Sequence, residues 1–219
     1  MSAASWVPLV LGPLAGYLVG SIPFGFLIGR ARGVDLLRTG SGNVGATNVA
    51  RVVGRWWGYV CFVLDVGKGL APVLLAGVVL RRTGLTPLEQ LAWMGVALGC
   101  ILGHVFSVWL GFRGGKGVAT SLGVVLGFWP YFTLPGLAAF ALWAAVTLLS
   151  RHVSLGSIVA AAAFAPLFIA HCLLRGWPLA DTWPLLAFAV AMAVLVIYRH
   201  RANIRRLLEG TEGKIGEKN

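Results

Sequence analysis

Residues 118–150 read VATSLGVVLGFWPYFTLPGLAAFALWAAVTLLS, and this stretch decides how many times the chain crosses a bilayer. As one continuous helix its 33 residues would measure roughly 50 Å, which is too long for an ordinary crossing. Pro130 and Pro135 interrupt the run, and proline breaks a helix because it lacks a backbone N–H donor. The pattern therefore predicts two short or tilted helices that meet near Pro130.

Long apolar runs also make up most of the remaining chain. The 219 residues are 58% hydrophobic and 11% charged, with a mean hydropathy of +0.84, which excludes an ordinary soluble domain. The other runs are residues 6–29, 57–80, 91–110, 158–174 and 183–198. Together they predict an all-α integral membrane protein with seven transmembrane helices, in a single membrane-embedded domain over residues 1–219. The first basic residue is Arg30, so the first run is expected to remain as a span.

The basic residues predict the orientation of these spans. With the N-terminus outside, 14 of the 18 Lys and Arg residues fall on inner segments, and the outer loops hold only Arg81, Arg82 and Arg175. The positive-inside rule favours this arrangement, with the C-terminus in the cytoplasm. If residues 118–150 crossed the bilayer only once, every segment before this run or every segment after it would lie on the opposite side of the membrane. The dispersed charges are typical of loops that meet anionic lipid or substrate rather than nucleic acid.

Residues 40–48 read GSGNVGATN and match the spacing G-x-G-x-x-G, with Asp65 placed 20 residues past the last glycine. A dinucleotide-binding fold needs a preceding strand and a parallel sheet, for which this chain has no room. A glycine-rich turn before a helix still offers backbone N–H groups to an anion. The following residues place Thr47 and Arg51 on one helical face. The alternative is a re-entry loop whose glycines only turn the chain.

Residues 103–120 read GHVFSVWLGFRGGKGVAT and place Lys116 in a glycine turn ahead of an apolar helix. The glycines of this turn are Gly114, Gly115 and Gly117. The stretch is not a P-loop, because a glycine follows the lysine where Ser or Thr is required. A lysine beside backbone donors at a helix N-terminus suits a phosphate. The alternative is a positively charged membrane anchor with a tight turn.

Residues 198–212 read YRHRANIRRLLEGTE and place His200, Asn203 and Arg206 along one side of a helix. A solvated basic face explains the arginine but not the two neutral hydrogen-bonding groups. Upstream, Ser154 is expected to cap a helix and Ser157 to point into a pocket. All three constellations are predicted on the inner face, which indicates a substrate with an anionic head and a lipid tail.

Two charged residues lie inside the second span. Asp65 and Lys68 are three residues apart, and an internal ion pair is the expected state because isolated charges at that depth are costly. His104 is either structural or a proton carrier. The three cysteines lie far apart, so they are interpreted as packing residues rather than as a metal site. They are Cys61, Cys100 and Cys172.

The stretches 40–51 (GSGNVGATNVAR), 103–120 and 200–212 (HRANIRRLLEGTE) together resemble the three motifs of the bacterial membrane glycerol-3-phosphate acyltransferases of the PlsY type. The resemblance implies a seven-helix protein of the bacterial inner membrane with a cytoplasmic active site. It also implies transfer of an acyl chain from acyl phosphate to the 1-hydroxyl of sn-glycerol 3-phosphate. The products would be lysophosphatidic acid and phosphate, at the first step of phospholipid synthesis. No metal or cofactor is implied, and we expect a monomer among membrane lipids.

The resemblance also assigns residues. The catalytic group is Ser41, Arg51, Lys116 and His200. The substrate-binding group is Gly42, Asn43, Thr47, Asn48, Gly114, Gly115, Gly117, Ser157, Asn203 and Arg206. It implies substrate-assisted catalysis, in which a substrate phosphate accepts the hydroxyl proton, with His200 as general base the alternative. A transporter or channel for an organic phosphate is the rival function, although such proteins place their site near the midplane between repeated halves, and no repeat is visible here.

Overall fold

The computed structural model describes residues 7–80 and 87–215, and that part of the chain contains ten α-helices and no strand. The helices are α1 (Val7–Ser21), α2 (Phe24–Ala31), α3 (Ala46–Val52), α4 (Arg55–Leu80), α5 (Pro87–Val105), α6 (Val118–Gly127), α7 (Thr133–Ser150), α8 (Val153–Arg175), α9 (Leu179–Arg199) and α10 (Arg201–Leu208). The all-α prediction is confirmed. The glycine stretch 40–45 follows α2 rather than a strand, so its dinucleotide-like spacing is coincidental.

Six segments of the described chain are long and apolar enough to cross a membrane. One of them, Val10–Ala31, joins α1 and α2, and the others are Arg55–Leu80, Glu89–Leu110, Thr133–Ser150, Val153–Arg175 and Leu179–Arg199. The seventh apolar helix, α6, has 10 residues and is about 15 Å long, half the thickness of the hydrocarbon core. The seven-span count therefore stays a prediction.

The predicted break near Pro130 is confirmed. Helix α6 ends at Gly127 and α7 begins at Thr133, so the run 118–150 forms two helices. Pro135 does not interrupt α7, because it lies in the first turn, where a helix has no use for the missing N–H. Arg81 and Arg82, which were used to orient the spans, lie outside the described residues.

The helices form two compact units that divide at Pro130, with α1–α6 in the first and α7–α10 in the second. In the first unit α1 packs along α5, and α4 packs against α6, α5 and α3. In the second unit α8 lies between α7 and α9, and α10 contacts both α8 and α9. Cys61 and Cys100 of the first unit and Cys172 of the second are buried and unbridged, as predicted for packing residues.

Helices α1 and α5 touch backbone to backbone through glycines spaced four residues apart. A Cβ atom added to Gly16 or Gly20 of α1 would meet a carbonyl of α5, and one added to Gly99 or Gly103 would meet a carbonyl of α1. Small residues at this spacing let membrane helices approach closely, where van der Waals packing drives their association. This contact fixes α5, which leads into the second motif.

Phe132, immediately before α7, anchors the second unit. Its ring packs edge-on against Phe164 and Phe168 of α8 at 5.4 and 4.9 Å between centroids, and is stacked on Phe188 of α9 at 6.2 Å. Phe132 is fully buried. The aromatic cluster therefore packs the start of α7 against α8 and α9.

We predict that Gly99→Ala lowers the thermal stability of the detergent-solubilised protein, because the added methyl group strikes the backbone of α1. Overpacking of this kind costs about 1–3 kcal/mol. The matched control is Gly67→Ala in α4, where a Cβ atom meets nothing within 4 Å. That variant should unfold at the wild-type temperature or slightly above it, since alanine favours helix. Equal unfolding temperatures for the two variants would contradict the α1–α5 contact.

Candidate active site

The first-motif loop, residues 32–45, folds around the buried side chain of Asn48. The amide oxygen of Asn48 accepts the backbone N–H of Ser41 at 2.9 Å, and its nitrogen donates to the carbonyl of Thr39 at 3.0 Å. Asn48 is 2% exposed. Gly40 is left-handed, with φ of +64°, and a Cβ atom there would meet the Asn48 amide. Asn48 thus shapes the loop, and its contact with substrate stays a prediction.

The same loop leads into α3, which carries the predicted polar face. Asn43 accepts the N–H of Gly45 at 2.8 Å and so closes the turn that starts the helix. Thr47 and Arg51 lie four residues apart on α3 and are both exposed, as is Ser41 in the loop. The predicted common face of Thr47 and Arg51 is therefore present, and it is polar and accessible.

The second motif forms a tight turn docked on the end of α5. Gly114 donates its N–H to the carbonyl of Val105 at 3.1 Å, and Gly115 donates to the carbonyl of His104 at 3.0 Å. A Cβ atom on Gly114 would meet the His104 carbonyl, and one on Gly115 would meet the His104 imidazole. These two glycines are required by close approach to α5, and α5 carbonyls take up the N–H groups that the sequence assigned to substrate.

Lys116 follows these glycines and is half-buried. The next residue, Gly117, has a φ of +87° and occupies the N-cap position of α6. The predicted arrangement of a lysine in a glycine turn at a helix N-terminus is present. An ammonium beside the positive end of a helix is suited to a phosphate, which both would attract.

The charged pair inside the second span is present, as predicted. The Nζ atom of Lys68 lies 2.8 Å from Oδ1 of Asp65, and each side chain is 3% exposed. Lys68 also donates to the carbonyl of Ile22 at 2.7 Å, and Nδ1 of His104 lies 3.7 Å from the same Asp65 oxygen. His104 therefore belongs to a charged cluster.

His200 lies at the junction of α9 and α10 and is 2% exposed. Its Nδ1 atom lies 2.8 Å from the carbonyl oxygen of Val196. Because a carbonyl only accepts hydrogen bonds, Nδ1 must carry the proton. In the neutral ring Nε2 is then the acceptor, which is the tautomer that either orients a substrate hydroxyl or takes its proton.

Glu212 binds the third motif together, a role that the sequence did not reveal. Its Oε1 atom accepts hydrogen bonds from Asn203 at 2.6 Å and Ser154 at 2.7 Å, and its Oε2 atom accepts one from Arg206 at 2.7 Å. Asn203 and Arg206 therefore lie on one side of α10, as predicted. The available signal was a pair of acidic residues, Glu209 and Glu212, just past a run of basic ones.

Ser154 and Ser157 both lie on α8, and the structure tests what the sequence predicted for each of them. The prediction that Ser154 caps α8 is wrong, because α8 begins at Val153 and the N-cap residue is His152, which makes no side-chain capping bond. Ser157 is buried, donates to the carbonyl of Val153 at 2.8 Å and accepts from the indole of Trp143 at 3.3 Å. Contact of Ser157 with substrate stays a prediction.

The sequence profile of the glycerol-3-phosphate acyltransferase family matches residues 10–210. A glycerol-3-phosphate acyltransferase from Geobacter sulfurreducens is 49% identical, over 94% of this chain and 96% of its own length. One from Synechococcus sp. (strain JA-3-3Ab) is 44% identical, over 98% of this chain and 97% of its own length. The chain belongs to the PlsY family of glycerol-3-phosphate acyltransferases. The three-motif resemblance is confirmed.

Two crystal structures of PlsY, an integral membrane glycerol 3-phosphate acyltransferase, share the fold of this family member. The glycerol 3-phosphate form matches with a TM-score of 0.80 and 39% identity, over 95% of this chain and 96% of that one. The lysophosphatidic acid form matches with a TM-score of 0.78 and 38% identity, over 95% of each chain. The all-helical membrane fold is thus that of PlsY.

The Glu212 contacts predict a pH-dependent stability. Burial raises the pKa of Glu212, but the hydrogen bonds from Ser154, Asn203 and Arg206, with the charge of Arg206, outweigh it and hold the pKa below its usual range. The stabilisation is therefore complete above the ordinary glutamate pKa and is lost as the pH falls through the lowered value.

We predict that Glu212→Gln lowers the thermal unfolding temperature at pH 7, because the amide keeps the shape of the side chain but loses its charge. The difference from wild type should shrink as the pH falls below about 4.3, the ordinary glutamate pKa. Glu209→Gln is the control, since Glu209 pairs with Arg205 at an exposed site, 2.8 Å apart, and exposed pairs contribute little. A Glu212→Gln difference that is constant from pH 7 to pH 3 would contradict this role.

Proposed function

We propose that this glycerol-3-phosphate acyltransferase takes its acyl group from acyl phosphate and releases lysophosphatidic acid and inorganic phosphate. The observation that supports the acceptor and the product is the near full-length similarity to PlsY, whose crystal structures were obtained in glycerol 3-phosphate and lysophosphatidic acid forms, and the donor is proposed from the three-motif resemblance. Glycerol 3-phosphate is accordingly the acceptor and lysophosphatidic acid the product. The reaction begins phospholipid synthesis.

Each unit carries cationic candidate residues that suit an anionic substrate. In the first unit Arg51 is exposed beside Thr47, and Lys116 lies at the start of α6. In the second unit Arg206 uses its Nε atom for Glu212 and is 40% exposed. We assign these cations to the substrate phosphates, because charge-assisted hydrogen bonds to phosphate are short and strong. Hydroxyl and amide groups of Ser41 and Asn203 complete the proposed contacts.

Acyl phosphate allows the acyl group to pass directly from donor to acceptor. Acyl phosphate is a mixed anhydride, so the 1-hydroxyl oxygen forms a bond to the acyl carbon and the bond from that carbon to the phosphate oxygen breaks. The hydroxyl proton passes to a substrate phosphate, and phosphate leaves with the electron pair of the broken bond. The protein then has to align the two substrates and stabilise the oxyanion that develops on the acyl oxygen. No acyl-enzyme is required.

The fold is in line with this donor preference. The described residues contain no strand and hence no nucleotide-binding sheet for the adenosine part of coenzyme A. We predict that purified protein in detergent, given acyl phosphate and glycerol 3-phosphate, forms lysophosphatidic acid and phosphate in equal amounts. Phosphate release should require glycerol 3-phosphate, which serves as the control for hydrolysis. Rapid turnover of acyl-CoA in the absence of acyl phosphate would contradict the proposal.

His200 is proposed to orient the acceptor hydroxyl rather than to remove its proton. A phosphate has a second pKa of about 6 and can itself accept the proton. We predict that His200→Gln keeps measurable turnover and the wild-type pH profile, with His171→Gln, at a buried histidine beside Trp177, as a control that retains full activity. A His200→Gln protein that binds both substrates and never turns over would make His200 the general base.

The orientation and location are proposed from charge. We place the N-terminus outside, the C-terminus and the motif loops on the cytoplasmic side, and the protein in the bacterial inner membrane, in line with the positive-inside rule. Single cysteines at Arg113 and Gly213 in a cysteine-free background should react only with cytoplasmic reagent. A cysteine at Gly84, outside the described residues, should react only from the other side. Reaction of the Gly213 cysteine from outside would overturn this topology.

A further inference from the structure

A buried ionic cluster of Asp65, Lys68 and His104 lies next to the second-motif turn and has no assigned role. Lys68 lies 2.8 Å from Asp65, and His104 approaches the same carboxylate oxygen at 3.7 Å. The thiol of Cys61 lies 3.7 Å from the other oxygen. The side chains of the three cluster residues are each at most 6% exposed. The cluster thus has little access to solvent.

Folding stability alone does not explain the cluster. Buried ion pairs incur a desolvation cost that apolar residues of similar size avoid, and ionisable groups in membrane spans are functional by default. Hydrogen bonds are directional, however, so a satisfied buried polar network fixes the relative positions of its members. The question is therefore which parts of the molecule the cluster fixes.

The cluster joins three elements of the first unit. Lys68 of α4 donates to the carbonyl of Ile22, which lies outside a helix because α1 ends at Ser21 and Pro23 follows. Its ammonium also lies 5.7 Å from the centre of the Phe24 ring at the start of α2. Asp65 connects this lysine to His104 of α5. Lys68 therefore already uses donors on Asp65 and Ile22, which fits a structural link better than a substrate ligand.

His104 carries the connection to the turn. Its carbonyl accepts the N–H of Gly115 at 3.0 Å, and its ring lies where a side chain on Gly115 would be. The three cluster residues and Gly114 line the same small pocket. The backbone that precedes Lys116 thus rests on both the main chain and the ring of His104.

We propose that Asp65, Lys68 and His104 are positioning residues that hold the turn of Lys116 in the geometry needed for phosphate binding. The inference rests on the proposed role of Lys116. The ring of His104 supports Gly115, Asp65 fixes that ring, and Lys68 ties Asp65 to the break between α1 and α2. The cluster acts on the reaction through Lys116 and does not touch the reacting atoms.

A double-mutant cycle tests this role, with kcat and KM for glycerol 3-phosphate and acyl phosphate as readouts. Lys116→Ala should lower kcat/KM about 10- to 100-fold, as expected for loss of a charge-assisted contact. His104→Ala should lower it about tenfold in the wild type but less than about twofold in Lys116→Ala, because residues that act as a unit are not additive. Multiplicative losses would overturn the positioning role.

A second variant pair separates positioning from stability. Asp65→Asn with Lys68→Gln removes both charges together and keeps a donor for the carbonyl of Ile22, so no buried charge is left unpaired and the unfolding temperature should stay near that of wild type. We expect about a tenfold loss of kcat/KM, which again largely disappears in Lys116→Ala. His104→Asn, which keeps a polar group towards Asp65, should recover part of the activity lost in His104→Ala. Wild-type activity in the charge-free pair would overturn the inference.

The control is Trp93→Phe, which affects the same helix far from the turn. Trp93 lies 11 residues before His104 in the chain and is 2% exposed. Its indole N–H donates to the carbonyl of Val73 at 2.7 Å. In the double variant, the fold losses in kcat/KM caused by Trp93→Phe and by Lys116→Ala should multiply.

If Lys116→Ala alone keeps full activity, the proposed role of Lys116 fails and the positioning role fails with it. An impaired Lys116→Ala with multiplicative His104 effects refutes the positioning role alone.

Discussion

Backbone polar groups in a bilayer have no water to bind, so each break in a membrane helix has to be closed by the protein itself. The chain meets this constraint with polar side chains placed at its breaks. Lys68 binds the carbonyl of Ile22 between α1 and α2, and His200, at the junction of α9 and α10, binds the carbonyl of Val196 in the last turn of α9. Ser107, after α5, donates to the carbonyl of Ser21 at 2.6 Å. These bonds let the helices end at fixed places and open into loops.

The same breaks carry the proposed chemistry, and this divides the motif residues into two groups. Asn48 and Glu212 are largely enclosed and direct their polar atoms at their own loops and helices. Ser41, Thr47 and Arg51 lie at the surface of the first-motif loop and α3. Each motif of this chain is thus a scaffold with a few exposed groups, and Gly114 and Gly115 reflect close backbone contact with α5.

Much of this arrangement could be predicted from the sequence, because hydropathy and charge act locally. The apolar runs gave the helices, Pro130 marked the break between α6 and α7, and the spacing of Asp65 and Lys68 indicated their ion pair. The bond between Glu212 and Ser154 could not be predicted, because the two residues lie 58 positions apart in the chain. The predicted cap at Ser154 was wrong because helix ends are set by backbone geometry that shifts by a residue or two. The α1–α5 glycines were visible in the sequence, but their meaning depends on which helices meet.

Initial-rate kinetics with both substrates varied test the central claim most directly, since direct transfer requires acyl phosphate and glycerol 3-phosphate to be bound together. The account predicts intersecting double-reciprocal lines and no acyl group on the protein when acyl phosphate is added alone. Parallel lines, together with an acylated protein isolated in the absence of glycerol 3-phosphate, would show a ping-pong mechanism and contradict direct transfer.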